Sequence, residues 1–416
     1  MLNVLSLRDF RLLFAGVATS LLGDQFTLIA TPWLVLQLTG DPLALGIVLA
    51  LEGIPRALFM LFGGAITDRF SPRVIMLAAD IVRLVLVALL AIVVFAGTVQ
   101  LWMVYAFSLG FGLVAGFAVP AGNSIVPLLV KEEDLQAGNS LVMGVGQLAG
   151  FIGPFLAGIL IGRYAESLVG IGLALAIDAA TFALSALTLW LMRGGGKLAA
   201  SADDAEKESV WAEIVAGLRY AWRDQALRLI FLLIAAINFL FVGPILVGIP
   251  VLAEQRLPEG AVAFGMLMSA FAVGNLVGFL LAGALPRPSG RIMRFLLITL
   301  LAAFGIATGL IGVISVTWLD FGLMLLLGLG VGYVTIILFT WIQTRTPKTM
   351  LGRVMSLLML SSAGLIPISQ ALAGAVIMWN LMVLFALAGG LFVLVTLWAA
   401  FQPALVTVSE SLAAQN

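Results

Sequence analysis

Long apolar runs follow one another along nearly the whole chain. A helix needs about 20 apolar residues to cross a bilayer, and the sequence contains twelve runs of that order, which we number spans one to twelve. They cover residues 12–38, 43–67, 74–96, 100–121, 137–162, 168–192, 227–253, 261–285, 292–314, 318–342, 351–376 and 379–401. The pattern predicts an all-α integral membrane protein with twelve transmembrane helices.

One long polar segment divides the spans into two sets of six. Residues 193–225 begin with Gly194–Gly196 and continue with small and charged residues, a composition typical of a flexible linker. Apolar residues at every fourth position from Val210 to Trp222 predict an amphipathic helix at the membrane surface, although an ordinary linker helix fits the same pattern. We predict an N-terminal six-helix bundle at 1–192, a cytoplasmic linker at 193–225 and a C-terminal six-helix bundle at 226–416.

The two sets of spans repeat short sequences at equivalent places. Gly64–Ile66, at the end of span two, corresponds to Gly283–Leu285, at the end of span eight. Asn139–Leu141, after span four, corresponds to Met355–Leu357, after span ten. Repeated six-helix halves related by an axis along the membrane normal are a known membrane architecture. We therefore expect two pseudo-symmetric halves.

Composition agrees with this class and excludes several kinds of chemistry. Of 416 residues, 62% are hydrophobic and 10% charged, and the mean hydropathy is +1.18, whereas a soluble domain carries roughly 25% charged residues. The 21 basic and 21 acidic side chains balance, so we expect no nucleic-acid partner. Without Cys or His, the chain has no disulfide, no thiolate or imidazole metal ligand and no histidine acid–base chemistry. We expect no metal and no cofactor, and carboxylates as proton carriers.

The basic residues predict the orientation in the membrane. Seventeen of them fall in segments on the side of the N-terminus, against two, Arg163 and Arg256, on the opposite side. By the positive-inside rule both termini are cytoplasmic, and we expect a multi-pass protein of the inner (plasma) membrane. Met1–Arg11 is short and polar and leads directly into span one, so we expect no cleaved signal peptide.

Ionisable residues inside the predicted spans are candidates for function, because each is costly in a bilayer unless it is paired or hydrated. In the interior of the spans they are Asp24, Glu52, Arg56, Asp80, Arg83 and Asp178. Glu52 and Arg56 are four residues apart with the acid first, the favourable order for an ion pair on a helix. We interpret Glu52 as a proton-coupling acid supported by Arg56. The alternative is a static pair that fixes helix packing.

Asp24 and Asp178 have no opposite charge nearby in the sequence. Each must find a partner on another helix, face water or be protonated. Asp24, about halfway along span one, is the leading candidate to bind a proton or a substrate. Asp178 could support the same role, or could be a neutral acid that is hydrogen-bonded to a backbone carbonyl. We expect no charge in the interior of spans seven to twelve, which would suit a lipophilic or amphipathic cargo.

The segment between spans two and three resembles the signature loop of the major facilitator superfamily, Gly-x-Leu-x-Asp-Arg-x-Gly-Arg-Arg. Here it reads Gly64-Ala65-Ile66-Thr67-Asp68-Arg69-Phe70-Ser71-Pro72-Arg73, with Ser71 where Gly is usual and Pro72 interrupting the basic pair. The resemblance extends over essentially the whole chain and implies the major facilitator fold.

In that family the loop is implied to latch the two halves on the cytoplasmic face in the outward-open state. This would assign the latch to Gly64, Asp68, Arg69 and Arg73, whereas the alternative is a solvated turn that carries inside-positive charge. Asp80 and Arg83, three residues apart on one face of span three, would extend the latch as a structural pair.

In span five, Gly153-Pro154-Phe155-Leu156-Ala157-Gly158 resembles the superfamily's antiporter motif, Gly-Pro-x-x-Gly-Gly, with Ala157 replacing one Gly. The resemblance implies export by exchange and a role for Gly153, Pro154 and Gly158. The alternative is close helix packing at small residues and a kink at Pro154. Other segments resemble the branch that contains macrolide-efflux proteins and enterobactin exporters: Asp80–Arg83, Val126–Pro127, Asn139–Leu141 and Gly352–Ser356.

The resemblance implies a drug–proton antiporter that expels lipophilic or amphipathic molecules by alternating access. Span four departs from many such antiporters, because Leu101–Ala121 contains no basic residue. Siderophore export and lysophospholipid transport in the same fold are alternatives. A membrane-embedded receptor or enzyme is disfavoured by the short loops and by the lack of His and Cys. The expected partners are the small-molecule substrate, protons and the lipid bilayer, and we expect a monomer.

Overall fold

The computed structural model describes residues 2–195, 210–285 and 290–413, and within these ranges the regular secondary structure is helical, with no strand. A helix is found at each predicted span, within a few residues of the predicted bounds. Spans one to six are Arg8–Thr39, Pro42–Arg69, Pro72–Phe95, Leu101–Ile125, Leu135–Gly162 and Val169–Leu191. Spans eight to twelve are Ala261–Ala284, Gly290–Ile311, Thr317–Arg345, Lys348–Ile377 and Leu381–Ala400.

Span seven and the connecting helices are less regular. Span seven comprises Gln225–Ile237, a π-helical turn at Asn238–Val242 and a second helix at Gly243–Arg256. The linker helix is Val210–Arg223, close to its predicted bounds, and a C-terminal helix covers Pro403–Ala413. The remaining elements are a short helix at Leu2–Ser6 and 3₁₀ turns at Val126–Leu128 and Glu132–Asp134.

Length and composition make these helices membrane spans. Among the described residues, eleven helices are long and apolar enough to cross a bilayer. In span eleven the described apolar part is shorter, Gly364–Ile377. Large apolar side chains on several spans are exposed, such as Leu89, Ile92 and Leu280. Such surface is stable in lipid and would be unfavourable in water.

Local sequence signals explain where several spans begin and end. Span one ends at Gly40, whose φ of +61° closes the helix with an N–H bond to the Leu36 carbonyl at 2.7 Å, and glycine adopts this conformation without a steric cost. Span three has Pro72 at its first position, where a missing N–H is harmless. Span seven is capped by Asp224, whose carboxylate accepts the N–H groups of Ala226 and Leu227.

The packing divides the chain into two compact units. The first contains Met1–Asp204 and Pro258–Ser269, and the second contains Ala205–Leu257 and Ala270–Asn416. In the first unit span one packs on spans five and six, span two on span four, and span three on spans four and six. In the second unit span nine packs on span twelve and span seven on span eleven. The predicted domain bounds at residues 192 and 226 stay a prediction.

Candidate functional site

The ionisable residues predicted inside spans one, two, three and six lie within electrostatic range of one another in the first unit. We call Asp24, Glu52, Arg56, Asp80, Arg83 and Asp178 the charged cluster. Asp24 interacts electrostatically with each of the other five members. Arg83 interacts with all four acids. Asp24 and Arg83 therefore connect side chains that come from four different helices.

Asp24, Glu52 and Arg56 keep accessible surface, as Arg83 does. Arg56 is exposed, and Asp24 and Glu52 are half-buried. In the part of the chain that the structure describes, these three side chains form no hydrogen bond and no ion pair within 4.0 Å. Glu52 and Arg56 thus interact through their charges without closing into a contact pair. This arrangement leaves both carboxyls available to bind a proton or a cationic group.

Arg83 is held by aromatic rings. Its Cζ lies 5.2 Å from the ring centroid of Phe111 in span four and 5.6 Å from that of Phe182 in span six. A guanidinium is attracted to the negative face of such rings. The buried Nε of Arg83 has no hydrogen-bond partner among the described residues. The arginine is therefore fixed by ring contacts and by the charges of the acids around it.

Asp80 and Asp178 are the buried members of the cluster. Each accepts a hydrogen bond from a hydroxyl group on another helix. The Ser185 hydroxyl donates to Asp80 Oδ2 at 2.6 Å, and the two residues lie on spans six and three. The Thr27 hydroxyl of span one donates to Asp178 Oδ2. Thr181 lies one turn after Asp178, with its Oγ1 3.3 Å from Asp178 Oδ1. A threonine hydroxyl on another helix thus binds Asp178, and the interpretation of Asp178 as a neutral acid stays a prediction.

The sequence interpretation missed the hydroxyl side chains that hold these acids. Asp178, Thr181, Ser185 and Thr188 recur at three or four positions, a spacing that places them on one face of span six. Glycines on span one allow this face to approach, since a Cβ at Gly16 would overlap the Thr188 hydroxyl. The recurrence of hydroxyl residues beside an acid was the available signal.

Glycines of span four fix the position of the helix that carries Glu52. A Cβ at Gly112 would overlap the backbone carbonyl of Glu52, and one at Gly116 would lie 2.7 Å from the Cβ of Phe59. Small residues four apart allow two membrane helices to pack backbone against backbone. Span two is therefore held tightly against span four at the level of Glu52.

The predicted latch is described only in part. Gly64, Asp68 and Arg69 belong to the helix of span two, but their side chains lie outside the described residues, so their role stays a prediction. Arg73 binds the end of span six, donating from Nε to the Leu189 carbonyl at 2.7 Å and from Nη2 to the Trp190 carbonyl at 2.8 Å. A cation there interacts favourably with the helix dipole.

The two departures from the signature loop have a local explanation. The Ser71 hydroxyl donates to the Gly195 carbonyl at 2.5 Å, so a side chain at this position joins the start of span three to the segment that follows span six. Pro72 occupies the first turn of span three, which its fixed φ favours.

The antiporter-like motif forms close helix contacts within the first unit. A Cβ at Gly158 would lie 2.7 Å from the carbonyl oxygen of Ala261, at the start of span eight, and one at Gly153 would overlap the side chain of Gln25. Gly265 approaches the carbonyl of Pro154 in the same way. This geometry agrees with the packing interpretation of the motif, and its link to antiport stays a prediction.

Asp320 is a buried acid of the second unit that the sequence interpretation did not single out. This residue lies in the first turn of span ten and is fully buried. Neither carboxyl oxygen has a hydrogen-bond partner among the described residues. Since Asp320 stands only three residues from the start of the helix, the expectation of no charge in the interior of spans seven to twelve stays a prediction.

The balance of charges determines what the cluster can bind. Four carboxyls share it with two guanidinium groups, so the acids outnumber the bases. Ionised side chains inside a membrane are costly without compensation, and a proton or a cationic ligand would provide it. In the described ranges no group of three or more His, Cys, Asp and Glu side chains is placed to hold a metal ion.

Comparisons with known proteins agree with this architecture. The sequence model of the family described as Major Facilitator Superfamily matches residues 13–369. The multidrug efflux pump Tap of Mycolicibacterium fortuitum is 27% identical over 371 residues, covering 87% of each chain. Macrolide efflux protein A of Streptococcus pyogenes is 24% identical, covering 84% of each chain. The enterobactin exporter EntS of Shigella boydii is 25% identical, covering 83% of this chain and 79% of its own. These relatives confirm the branch that the sequence resembles.

A solved structure has the same fold. The nucleoside transporter NupG, in a mutant crystal structure, superposes with a TM-score of 0.72 over 97% of this chain and 99% of its own, at 12% identity. At this identity the likeness concerns the fold alone. The predicted fold class, two six-helix halves of the major facilitator type, is confirmed.

Proposed function

The chain belongs to the Major Facilitator Superfamily, and from this premise we propose that it exports lipophilic or amphipathic small molecules in exchange for protons. Proteins of this family are transporters and not enzymes. The charged cluster carries the proposal, because its surplus of carboxyls lies on membrane-spanning helices. Intramembrane acids of this kind mark proton and substrate pathways.

Asp24 and Glu52 are the proposed coupling acids. Both keep accessible surface and have no hydrogen-bond partner among the described residues, so a proton or a cationic cargo can compete for them. Arg56 and Arg83 stabilise the deprotonated cluster by their charges. Binding of protons from one side would displace the cargo, and loss of the protons on the other side would restore the cargo site.

Asp178 and Asp80 have a supporting role in this proposal. Their oxygens are already used by Thr27 and Ser185, so they bind neighbouring helices together and contribute negative charge beside Asp24. A change of protonation at Asp24 would alter its interaction with both acids. Span one is then the element through which protonation reaches spans three and six.

The cargo class is inferred from composition and from the relatives. Tap and macrolide efflux protein A are named for export of drugs, and the chain is 62% hydrophobic. Apolar pockets with few polar groups bind lipophilic ligands. We propose an inner-membrane location with both termini cytoplasmic, as the positive-inside bias indicates, and a monomer as the working unit.

The test of the coupling acids is drug uptake into inside-out vesicles energised by an imposed pH gradient. Asp24→Asn and Glu52→Gln should each abolish gradient-driven accumulation of a lipophilic cation or a macrolide, while the amount of protein in the membrane stays unchanged. Glu132→Gln is the matched control, since Glu132 is exposed and lies in the 3₁₀ turn that precedes the helix of span five. Full accumulation in both Asp24→Asn and Glu52→Gln would remove these acids from the mechanism.

A second candidate function is siderophore export. The observation that favours it is the 25% identity to a protein named as an enterobactin exporter. Adding a catecholate siderophore to the same vesicle assay separates the candidates. Accumulation of the siderophore with no accumulation of drugs would support siderophore export and contradict drug export. The requirement for Asp24 and Glu52 would be tested with the same variants.

A further inference from the structure

A charged cavity lies in the second unit and is lined by none of the residues of the charged cluster. Its volume is about 660 Å³, and its walls come from the linker helix, the start of span seven, the end of span ten and the C-terminal helix. The polar side chains that line it include Tyr220, Arg223, Asp224, Arg345 and Thr407. This volume falls within the usual range of ligand sites, about 300–1,000 Å³.

The acid in this cavity is already fully occupied. Asp224 Oδ1 accepts the N–H groups of Ala226 and Leu227 at 2.9 and 3.2 Å and so caps span seven. Its Oδ2 accepts the Nε of Arg345 at 2.9 Å, and the Nη2 of Arg345 lies 2.9 Å from the same oxygen. Asp224 therefore neutralises one of the two guanidinium groups, and Arg223 gives the cavity a surplus of positive charge.

Arg345 is held in a fixed orientation. Besides the contact with Asp224, its Cζ lies 5.4 Å from the ring centroid of Trp341, one turn earlier on span ten. A guanidinium fixed on one edge and on one face retains N–H donors for a second acceptor, and its planar fork matches a phosphate or a carboxylate. The preformed arginine is thus suited to an anion.

The linker helix beside the cavity presents apolar side chains to its surroundings. Val215, Leu218 and Trp222 are exposed to 46%, 43% and 49%, and their spacing places them on one face. An amphipathic helix with exposed Trp and aliphatic residues lies in the interface between headgroups and acyl chains. The neighbouring cavity would then open at the level of lipid headgroups.

We propose that this cavity binds the phosphate group of an anionic phospholipid through Arg223 and Arg345. Basic pockets beside membrane helices bind anionic headgroups on the cytoplasmic side. The phosphate could also come from solution, and the apolar face of the linker helix favours the lipid source because it would contact the acyl chains. A bound lipid would join the linker helix to spans seven and ten.

The test measures thermal unfolding of the full-length protein in detergent, followed by tryptophan fluorescence during titration with short-chain phosphatidylglycerol. The unfolding temperature should rise to saturation. Phosphatidylcholine of the same chain length should give no saturable rise, because its headgroup is zwitterionic. Inorganic phosphate should be without effect at matching concentrations, since it lacks acyl chains. An equal effect of inorganic phosphate or of phosphatidylcholine would overturn the lipid site.

Variants locate the site. Arg223→Gln should raise the half-saturating phosphatidylglycerol concentration by about tenfold, the effect of losing one charge-assisted hydrogen bond. Arg219 lies on the same helix but outside the cavity lining. Arg219→Gln should change the half-saturating phosphatidylglycerol concentration by less than about twofold. Thr407→Phe, at an exposed position of the wall, should block binding without removing a charge. Equal shifts for Arg219→Gln and Arg223→Gln, or unchanged binding in Arg223→Gln and Thr407→Phe, would contradict the proposal.

Discussion

Hydroxyl groups donate hydrogen bonds to the two buried acids of the charged cluster. Asp80 accepts from Ser185 and Asp178 from Thr27, in each case between two different spans. Few other hydrogen-bonding groups are available in a bilayer to replace such bonds. Each bond nevertheless contributes only on the order of 1 kcal/mol to stability. These residues therefore contribute to the register of the helices around Asp24 and Arg83.

The bond between Ser185 and Asp80 can be tested by a double-mutant cycle. Ser185→Ala should lower the thermal unfolding temperature, because it leaves the buried Asp80 oxygen without its donor at a cost of about 1–3 kcal/mol. In the Asp80→Asn background, Ser185→Ala should lower the unfolding temperature by a smaller amount. Ser167→Ala, in an exposed turn, is the control. If Ser185→Ala lowers the unfolding temperature equally in the wild-type and Asp80→Asn backgrounds, the two side chains are not coupled.

The identity of the charged residues was predictable from the sequence, but their partners were not. An acid in an apolar run such as Asp24 or Glu52 is visible at once, since few charges occur there. The contact of Arg83 with Phe111 and Phe182 depends on the relative rotation of spans three, four and six. Nothing in one helix determines that rotation, and many phenylalanines in the chain could have served.

At the scale of elements, glycines determine how closely the spans approach. Gly112 and Gly116 bring span four against span two, and Gly158 brings span five against the start of span eight. At each of these positions an added Cβ would lie 2.7 Å or less from an atom of the other helix. The antiporter-like motif of span five thus acts in this structure as a packing surface.

Gly158→Ala tests that surface. The new Cβ would lie 2.7 Å from the Ala261 carbonyl oxygen, so the helices must separate, and we expect a lower unfolding temperature and reduced transport. Gly150→Ala is the control on the same helix, because no atom lies within 4 Å of its Cβ position and alanine favours a helix by about 1 kcal/mol. Equal unfolding temperatures and equal transport in Gly158→Ala and Gly150→Ala would contradict close packing at Gly158.

Helix positions followed from sequence because apolar runs and capping residues both act locally. Predicted and observed bounds of span six, for example, are 168–192 and Val169–Leu191. The π-turn at Asn238–Val242 was not predicted, since it depends on span eleven. The Ser369 hydroxyl donates to the Phe239 carbonyl, and a Cβ at Gly243 would overlap Ser369. Such a local rearrangement is recognisable only once its neighbour is placed.

At the scale of the whole molecule, the latch predicts how the conformational equilibrium responds to Asp68. Asp68→Asn removes the charge that is proposed to stabilise the outward-open state, so the inward-open population should rise. Spin labels can be attached to introduced cysteines on the predicted cytoplasmic side without background labelling, because the sequence contains no cysteine. Their distance distribution should shift to longer values in the variant.

Asp134→Asn is the matched control for this experiment. Asp134 also lies in a loop on the predicted cytoplasmic side, and its side chain caps no helix. The control should keep the wild-type distance distribution. A distribution that is the same for Asp68→Asn and the unmodified protein would refute the latch.

Exchange of cargo for protons is the central claim, and proton movement in liposomes that contain the purified protein tests it most directly. A pH-sensitive dye inside the vesicles reports protons while lipophilic cations, macrolides and siderophores are added in turn. We predict proton flux that requires both protein and cargo and that disappears in Asp24→Asn. Transport of cargo without any proton flux would contradict it and would reduce the charged cluster to a structural element.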